Sequence, residues 1–199
     1  MSTITTPSQE TLDATFFGVV PHLDVLARLV ILQNSNGRFP IAHTKSRSER
    51  RGSTRKLTKQ KGAGASRKGS NRSPSRKGGG VAFGPRSKAN FQISMNSQER
   101  RLGLASALSL KSSDGKIRVI SSLTPKTGAM AKALAPLTKD GTVLFITTAA
   151  EKTKNQGVQN LAHTHTDVVT HLSPSEVLKY DFCVFTQGAM DELSSHFTN

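Results

Sequence analysis

The chain has 199 residues, of which 35% are apolar and only 5% aromatic, which is little for a chain that packs throughout its length. Its 28 Lys and Arg residues outnumber 13 acidic ones and give a formal charge of +15, which favours a polyanionic partner, nucleic acid before membrane. The longest apolar stretches, 29–32 and 143–146, are far shorter than the roughly 18 residues of a membrane-spanning helix. We therefore expect no membrane partner.

The first regular element in chain order is an amphipathic helix over 23–32. We expect it to pack on the folded domain that the later part of the chain forms. The domain boundaries predicted from the sequence are an N-terminal segment with this helix over 1–42, an extended basic glycine-rich loop over 43–95, and an α/β globular domain over 96–199.

The positive charge is concentrated between His43 and Lys88, where fifteen Lys and Arg residues face Glu49 as the one acidic residue. This stretch carries +14 and leaves the rest of the chain at +1. It also holds eight of the 16 glycines and only six apolar residues, too few to offset about 1–2 kcal/mol lost per ordered backbone residue. Alone, the segment is expected to be disordered; a solvated linker or a nonspecific DNA tail has the same composition.

Closely spaced bases reach phosphates on several sides, and glycines let a backbone approach RNA closely. The loop therefore has the composition expected of a segment that is buried in folded RNA. The residues predicted to bind this RNA are Lys45, Arg47, Arg51, Arg55, Lys56, Lys59, Lys61, Gly62, Gly64, Arg67, Lys68, Arg72, Arg76, Lys77, Gly78, Gly79, Gly80 and Arg86.

Alternating helix and strand patterns begin after Asn96. Asn96 and Glu99 form a candidate reciprocal N-cap for a helix over about 97–112. The remaining predicted elements are strands over 117–120, 142–148 and 181–186 and helices over 126–137, 151–161, 174–179 and 188–197. The short run Asp167-Val168-Val169-Thr170 lies between the helices at 151–161 and 174–179. The helix at 174 has a strong start signal, with Ser173 at the N-cap, Pro174 at the first position and Glu176 at the third.

This order predicts an α/β fold, a three-layer globular domain with a mostly parallel sheet, plus the long basic extended loop. Such a sheet invites an enzyme interpretation, but the residues for one are missing. Gly62-Ala63-Gly64 and Gly115-Lys116 lack the spacing of nucleotide-binding loops. His163, His165 and His171 lack a further ligand at a recognised spacing, and a surface turn before a strand accounts for the first two. Cys183 is expected to be a small buried side chain.

No catalytic constellation can be assembled from the spacing of Ser, His, Asp and Cys residues. We therefore expect no enzymatic activity, cofactor, metal or small-molecule substrate.

Five motifs occur in order along the basic loop, and four more follow in the later domain. The loop motifs are Thr44-Lys45-Ser46-Arg47, Gly52-Ser53-Thr54-Arg55-Lys56, Gln60-Lys61-Gly62-Ala63-Gly64, Arg72-Ser73-Pro74 and Gly78-Gly79-Gly80-Val81-Ala82-Phe83-Gly84-Pro85. The later motifs are Leu104-Ala105-Ser106-Ala107-Leu108, Pro125-Lys126-Thr127, Asn160-Leu161 and Lys179-Tyr180-Asp181. In this order and spacing the chain resembles the bacterial-type family of large-subunit ribosomal protein four, from about Phe17 onward.

The resemblance implies a structural constituent of the large ribosomal subunit. It implies an α/β domain on the subunit surface and a loop that penetrates large-subunit rRNA, with its tip helping to line the nascent-peptide exit tunnel. The implied partners are this rRNA and neighbouring large-subunit proteins, and the implied roles are subunit assembly and translation. The chain departs from the family pattern at Leu57-Thr58, where the family usually has Pro-Trp, and at Ser66-Arg67.

The first thirty residues carry three acids against Arg28, unlike an Arg-rich presequence. The expected location is the cytoplasmic ribosome of a bacterium, with a mitochondrial or plastid ribosome as the alternative. Two rival functions remain from the residues alone. One is a nonspecific nucleoid-type DNA-binding protein, and the other is an α/β enzyme with a basic lid.

Overall fold

A sheet of four parallel strands and one antiparallel strand organises the larger part of the chain. In the computed structural model, which describes residues 4–7, 12–121, 123–151 and 156–198, the strands are ordered β1-β2-β5-β3-β4. They are β1 (Ile4–Thr5), β2 (Ile117–Ile120), β3 (Val143–Thr147), β4 (Thr164–Val168) and β5 (Phe182–Thr186). Only β1 runs antiparallel among these described strands.

Seven α-helices occur within the described residues. They are α1 (Ala14–Phe17), α2 (Leu23–Asn36), α3 (Ser97–Ser113), α4 (Thr127–Asp140), α5 (Gln156–Gln159), α6 (Pro174–Lys179) and α7 (Gln187–Thr198). The chain divides into two compact units, one formed by residues up to Asn34 together with those from Ser94, and one formed by Ser35–Ile93. We call the first the globular unit and the second the basic unit.

The globular unit has a core on each face of its sheet. Because strand side chains alternate between faces, Leu144 and Phe185 point into one cluster and Phe145 and Val184 into the other. The first cluster is completed by side chains from α1, α2, α3, α6 and α7, and the second by α4 and α5. The predicted α/β fold, with three layers and a mostly parallel sheet, is thus confirmed.

Hydrophobic periodicity predicted the long helices and the strands well. Strand β3 is buried along its whole length, as its apolar centre indicated. In α7, Leu193 is buried and Met190 packs partly against the same cluster, as expected. The predicted helix over 151–161 is divided in the structure. Its ends form a 3-10 turn at Ala149–Glu151 and α5, and residues 152–155 lie outside the described residues.

The two predicted helix starts behave differently. Ser173 caps α6 as expected, because its hydroxyl accepts the Glu176 backbone N–H and hydrogen-bonds the Glu176 carboxylate at 3.1 Å. Asn96 occupies the N-cap of α3 with an extended backbone, but its side chain makes no cap hydrogen bond. The predicted reciprocal cap of Asn96 and Glu99 is therefore wrong, although the helix begins at the predicted residue.

The histidine pair also differs from its prediction. Strand β4 begins at Thr164, so His165 belongs to the strand and not to a turn before it. Its ring stacks on Tyr180, with centroids 5.5 Å apart and planes 6° from parallel. Within the part of the chain that the structure describes, no three His, Cys, Asp or Glu side chains come together as a metal site would require.

The N-terminal elements pack on α3 through two buried serines. Ser109 donates its hydroxyl proton to the Phe16 carbonyl at 3.0 Å and accepts the Val19 N–H at 3.1 Å. Ser106 accepts the His22 N–H at 3.2 Å. These bonds join the chain on either side of Pro21 to α3, and Leu26 and Leu29 of α2 are buried. No described helix has the length and apolarity to cross a bilayer.

Cys183, the second residue of β5, is buried as predicted, and this burial raises the pKa of its thiol to about 12. At pH 8 the native thiol is therefore almost wholly protonated. Since the thiolate is the reactive species, we expect Cys183 to react with an aromatic disulfide reagent about 10³-fold more slowly in the native protein than in urea. Absorbance of the released thiol measures both rates. Rapid stoichiometric reaction of the folded protein would contradict the buried placement.

Candidate nucleic-acid interface

Residues 37–96, all of them described, contain neither helix nor strand and connect α2 to α3. The basic loop predicted over 43–95, here called the basic segment, lies in this stretch. Because it has few apolar side chains, backbone hydrogen bonds and turns hold its conformation in place of a hydrophobic core.

Two stretches of the basic segment, residues 44–50 and 78–86, are joined to one another, and we call them the stem. The Thr44 N–H donates to the Pro85 carbonyl at 3.0 Å, and the Val81 N–H donates to the Lys45 carbonyl at 2.9 Å. Arg50 adds a side-chain bond from Nε to the Gly78 carbonyl at 2.9 Å. The stem therefore closes the two ends of the segment on each other.

Gly80 is buried at a close approach between the two halves of the stem. A Cβ at this position would lie 2.3 Å from the Arg47 nitrogen and 2.5 Å from the Ser46 carbonyl carbon. Both are backbone atoms, which cannot move aside as the end of a flexible side chain can. The third residue of the Gly78–Gly80 run is thus required by packing within the stem.

Glu49, the one acidic residue of the segment, also ties the stem together. Its Oε1 accepts Arg86 Nη1 at 2.7 Å, and its Oε2 accepts the Ser46 N–H at 2.8 Å. The Ser46 amide, with a further contribution from Arg86, lowers the pKa of the Glu49 carboxyl below its ordinary value. The carboxylate is therefore ionised throughout the neutral range and acts as a hydrogen-bond acceptor for both halves of the stem.

Most cations of the basic segment are exposed and lack an acidic partner. Among the described residues, Arg86 is the one Lys or Arg of this segment in an ion pair with a carboxylate. Arg72 and Arg76 are half-buried, and the Nε of Arg72 is enclosed without a hydrogen-bond partner within the described chain. The predicted site bases that are exposed are Lys45, Arg47, Arg51, Arg55, Lys56, Lys59, Lys61, Arg67, Lys68, Lys77 and Arg86.

Between the two halves of the stem, residues 51–77 have fewer fixed contacts. One backbone bond crosses this stretch, from the Leu57 N–H to the Gly69 carbonyl at 3.3 Å. Gly62 and Gly64 adopt left-handed φ angles of 78° and 60°, with no atom within 4 Å of a Cβ built on either. These two glycines serve the turn of the chain and not a close packing contact.

Sequence reasoning missed two contributors to this surface, Glu49 and Phe83. In the sequence Glu49 stands out only as the one acidic residue among fifteen bases. In the structure its carboxylate accepts a hydrogen bond from Arg86, 37 residues away. Phe83 was part of a motif but was not among the predicted site residues. Phe83 has a left-handed φ of 53° and a fully exposed side chain. The one signal for this turn in the sequence is the glycine and proline that follow it.

Comparisons with known proteins match most of the chain. The model of the Ribosomal protein L4/L1 family matches residues 11–196. The chain belongs to this family. It is 36% identical to the large ribosomal subunit protein uL4 of Desulfatibacillum aliphaticivorans over 89% of this chain and 86% of that one. It is also 36% identical to the uL4 of Pelotomaculum thermopropionicum, over 91% and 88% of the two chains, and 34% identical to that of Brevibacillus brevis, over 87% and 85%.

Family membership decides between the enzymatic and the structural interpretation of the globular unit. Members of the ribosomal protein L4/L1 family are structural constituents of the ribosome. The chain is accordingly a structural ribosomal protein and not an enzyme, as the missing catalytic constellation had indicated.

The close approach at Gly80 gives a prediction for the stem of this family member. Gly80→Ala places a methyl group against the backbone of 46–47 and should destabilise the stem by about 1–3 kcal/mol, as overpacking does elsewhere. Limited trypsin digestion, which cleaves after the many bases of the segment, should be correspondingly faster. Gly69→Ala is the control, because a Cβ there meets nothing within 4 Å. Equal digestion rates for the two variants would refute the packing role.

Proposed function

We propose that the chain is a structural protein of the large subunit of a bacterial ribosome, where its basic segment binds large-subunit rRNA. The observation that carries the proposal is the set of exposed cations in a segment whose one acidic residue is already engaged by Arg86. A nearly uncompensated charge of +14 needs a dense array of phosphates close by. The names and bacterial sources of the relatives support the subunit and the kind of organism.

The chemistry of the exposed bases fits RNA phosphates in particular. Arg guanidinium groups form paired hydrogen bonds with phosphate oxygens, and Lys ammonium groups act as compact point charges. Both kinds occur in the glycine-rich stretch of 51–77, at Lys59, Lys61, Arg67 and Lys68. In this proposal the stretch is threaded between RNA helices and becomes ordered on binding.

The finer parts of the proposal rest on the family resemblance. We propose that the tip of the basic segment helps to line the nascent-peptide exit tunnel, and that neighbouring large-subunit proteins contact this chain in the particle. The exposure of residues 59–69 supports the first of these, because that stretch offers its side chains to a partner and not to the core. The role in assembly follows if the segment fixes the fold of the RNA around it.

Deletion of residues 44–88 tests the role of the basic segment. In sucrose gradients of cell extract, the full chain should sediment with the large subunit and stay there after a high-salt wash. The deletion variant should remain at the top of the gradient. Release of the full chain at moderate salt, or its cosedimentation with DNA, would favour a nonspecific DNA-binding protein instead.

The salt dependence of binding tests the phosphate contacts. With on the order of 6–10 contacts, the affinity of the full chain for transcribed large-subunit rRNA should fall about 10³–10⁵-fold between 50 and 200 mM salt. Lys61→Ala should reduce the slope of log K against log salt by about 1. The matched control is Lys132→Ala, an exposed lysine on α4 of the globular unit, which should leave the slope unchanged. A flat salt response of the full chain would refute phosphate binding, and equal affinity for duplex DNA would refute selectivity for rRNA.

A further inference from the structure

Phe83 combines two features that a solvent-exposed loop residue rarely has together. Its φ of 53° lies in the left-handed region, where a bulky side chain is strained. Its side chain is fully exposed, at 109% of the reference area. No packing contact within the described chain therefore compensates for the backbone strain or for the cost of exposing an apolar ring to water. The stem keeps Phe83 in a strained conformation although its ring gains no packing contact there. This indicates that the exposed ring has a role in binding.

The stem holds Phe83 firmly in this position. Backbone bonds at Val81 on one side and at Pro85 on the other fix the chain two residues away in each direction. Gly84 lies so close to Thr44 that a Cβ on it would be 2.0 Å from the threonine Oγ1. The ring is thus carried on a rigid turn and not on the more open stretch of 51–77.

A cavity of about 490 Å³ lies beside the ring, and both apolar and cationic groups line it. Phe83, Val81 and Pro74 supply apolar surface, and Arg47 and Arg86 supply two guanidinium groups. Arg86 is oriented by Glu49 through Nη1, which leaves its other N–H groups available. Arg47 is exposed, and no carboxylate of the described residues pairs with it.

This combination selects for a particular ligand chemistry. A flat apolar ring beside two guanidinium groups matches an unpaired nucleobase and the phosphate attached to it, because the base stacks on the ring and the phosphate bonds the cations. An apolar protein side chain would match the ring but would take the Arg47 guanidinium and the remaining N–H groups of Arg86 out of water without offering them an acceptor, which is costly. A paired base in a helix would not expose its face to the ring.

We propose that Phe83 is a stacking platform for one unpaired base of rRNA, with Arg47 and Arg86 binding the phosphate next to that base. The other aromatic ring of the basic segment, Phe91, is already covered by the Arg38 guanidinium at 4.2 Å from its centroid. Phe83 is therefore the phenylalanine of this segment that is free to stack. The proposal rests on the proposed function, since it names a subsite within the same rRNA interface.

The chain contains no tryptophan, which makes a fluorescence test specific for this position. In Phe83→Trp, stacking on a base should quench the indole emission when transcribed large-subunit rRNA is added to the full chain. The matched control is Phe39→Trp, at a phenylalanine of the basic unit that is 78% exposed and does not line the cavity. Emission that falls equally for both variants, or for neither, would overturn the proposal.

Binding measurements separate stacking from mere apolar contact. Phe83→Leu should lower the affinity for the rRNA by roughly 5- to 150-fold, as the loss of one stacked base does, while Phe83→Tyr should retain it. The salt slope should stay unchanged in both variants. Arg47→Ala, in contrast, should reduce the slope by about 1.

A structural role is distinguished by Phe83→Gly, which removes the backbone strain along with the ring. Stacking predicts trypsin cleavage of the stem at an unchanged or lowered rate together with a lowered rRNA affinity, whereas a structural role predicts faster cleavage. If wild-type chain binds rRNA with the expected salt slope and Phe83→Leu binds equally well, the stacking site fails and the proposed function stands. If Phe83→Leu reduces retention on the particle but not affinity for free rRNA, a protein partner occupies the cavity and the proposal is overturned. If wild-type chain does not bind rRNA, both fail together.

Discussion

Unbalanced positive charge is the constraint on which the basic unit depends. Within the basic segment, one carboxylate faces fifteen Lys and Arg side chains, and it is engaged by Arg86. Neighbouring cations repel each other within a screening distance of about 8 Å at physiological salt. With few apolar side chains to bury, the segment is held by backbone bonds and glycine contacts at its stem, and the remaining cations need a polyanion before they can be packed densely.

Glu49 shows how a single acid is used under this constraint. The Ser46 amide and Arg86 stabilise its ionised form, so the pKa of the carboxyl in the folded protein is lower than in the unfolded chain. Its contribution to folding is therefore fully present above the ordinary glutamate pKa and is lost as the pH falls through the lower folded value. Around neutral pH the stem keeps its acceptor, while the rest of the segment keeps its full positive charge.

The sequence predicted what depends on local periodicity and missed what depends on contacts between distant residues. The buried strands and the Ser173 cap follow from patterns within a few residues. Strand β1 has only two residues, too few for a pattern, and it exists through pairing with Val119 and Ile120. The predicted side-chain cap at Asn96 was wrong, because an asparagine at the N-cap can make that hydrogen bond but need not. The bond from Glu49 to Arg86 and the turn at Phe83 arise only when the two halves of the stem meet.

The globular unit is stabilised by a buried apolar core, whereas the basic unit is held by backbone hydrogen bonds and carries the exposed cations. Stability and binding can therefore be measured as separate properties of the chain. Among the described residues, no apolar side chain of the buried core lies between positions 30 and 103, so the core of the globular unit takes no side chain from the basic segment. Removing apolar side chains from that core would unfold the sheet, whereas removing exposed cations leaves every core contact in place. If a variant of the basic segment has a lowered rRNA affinity while its globular unit melts normally, the substitution has changed a binding surface and not the fold.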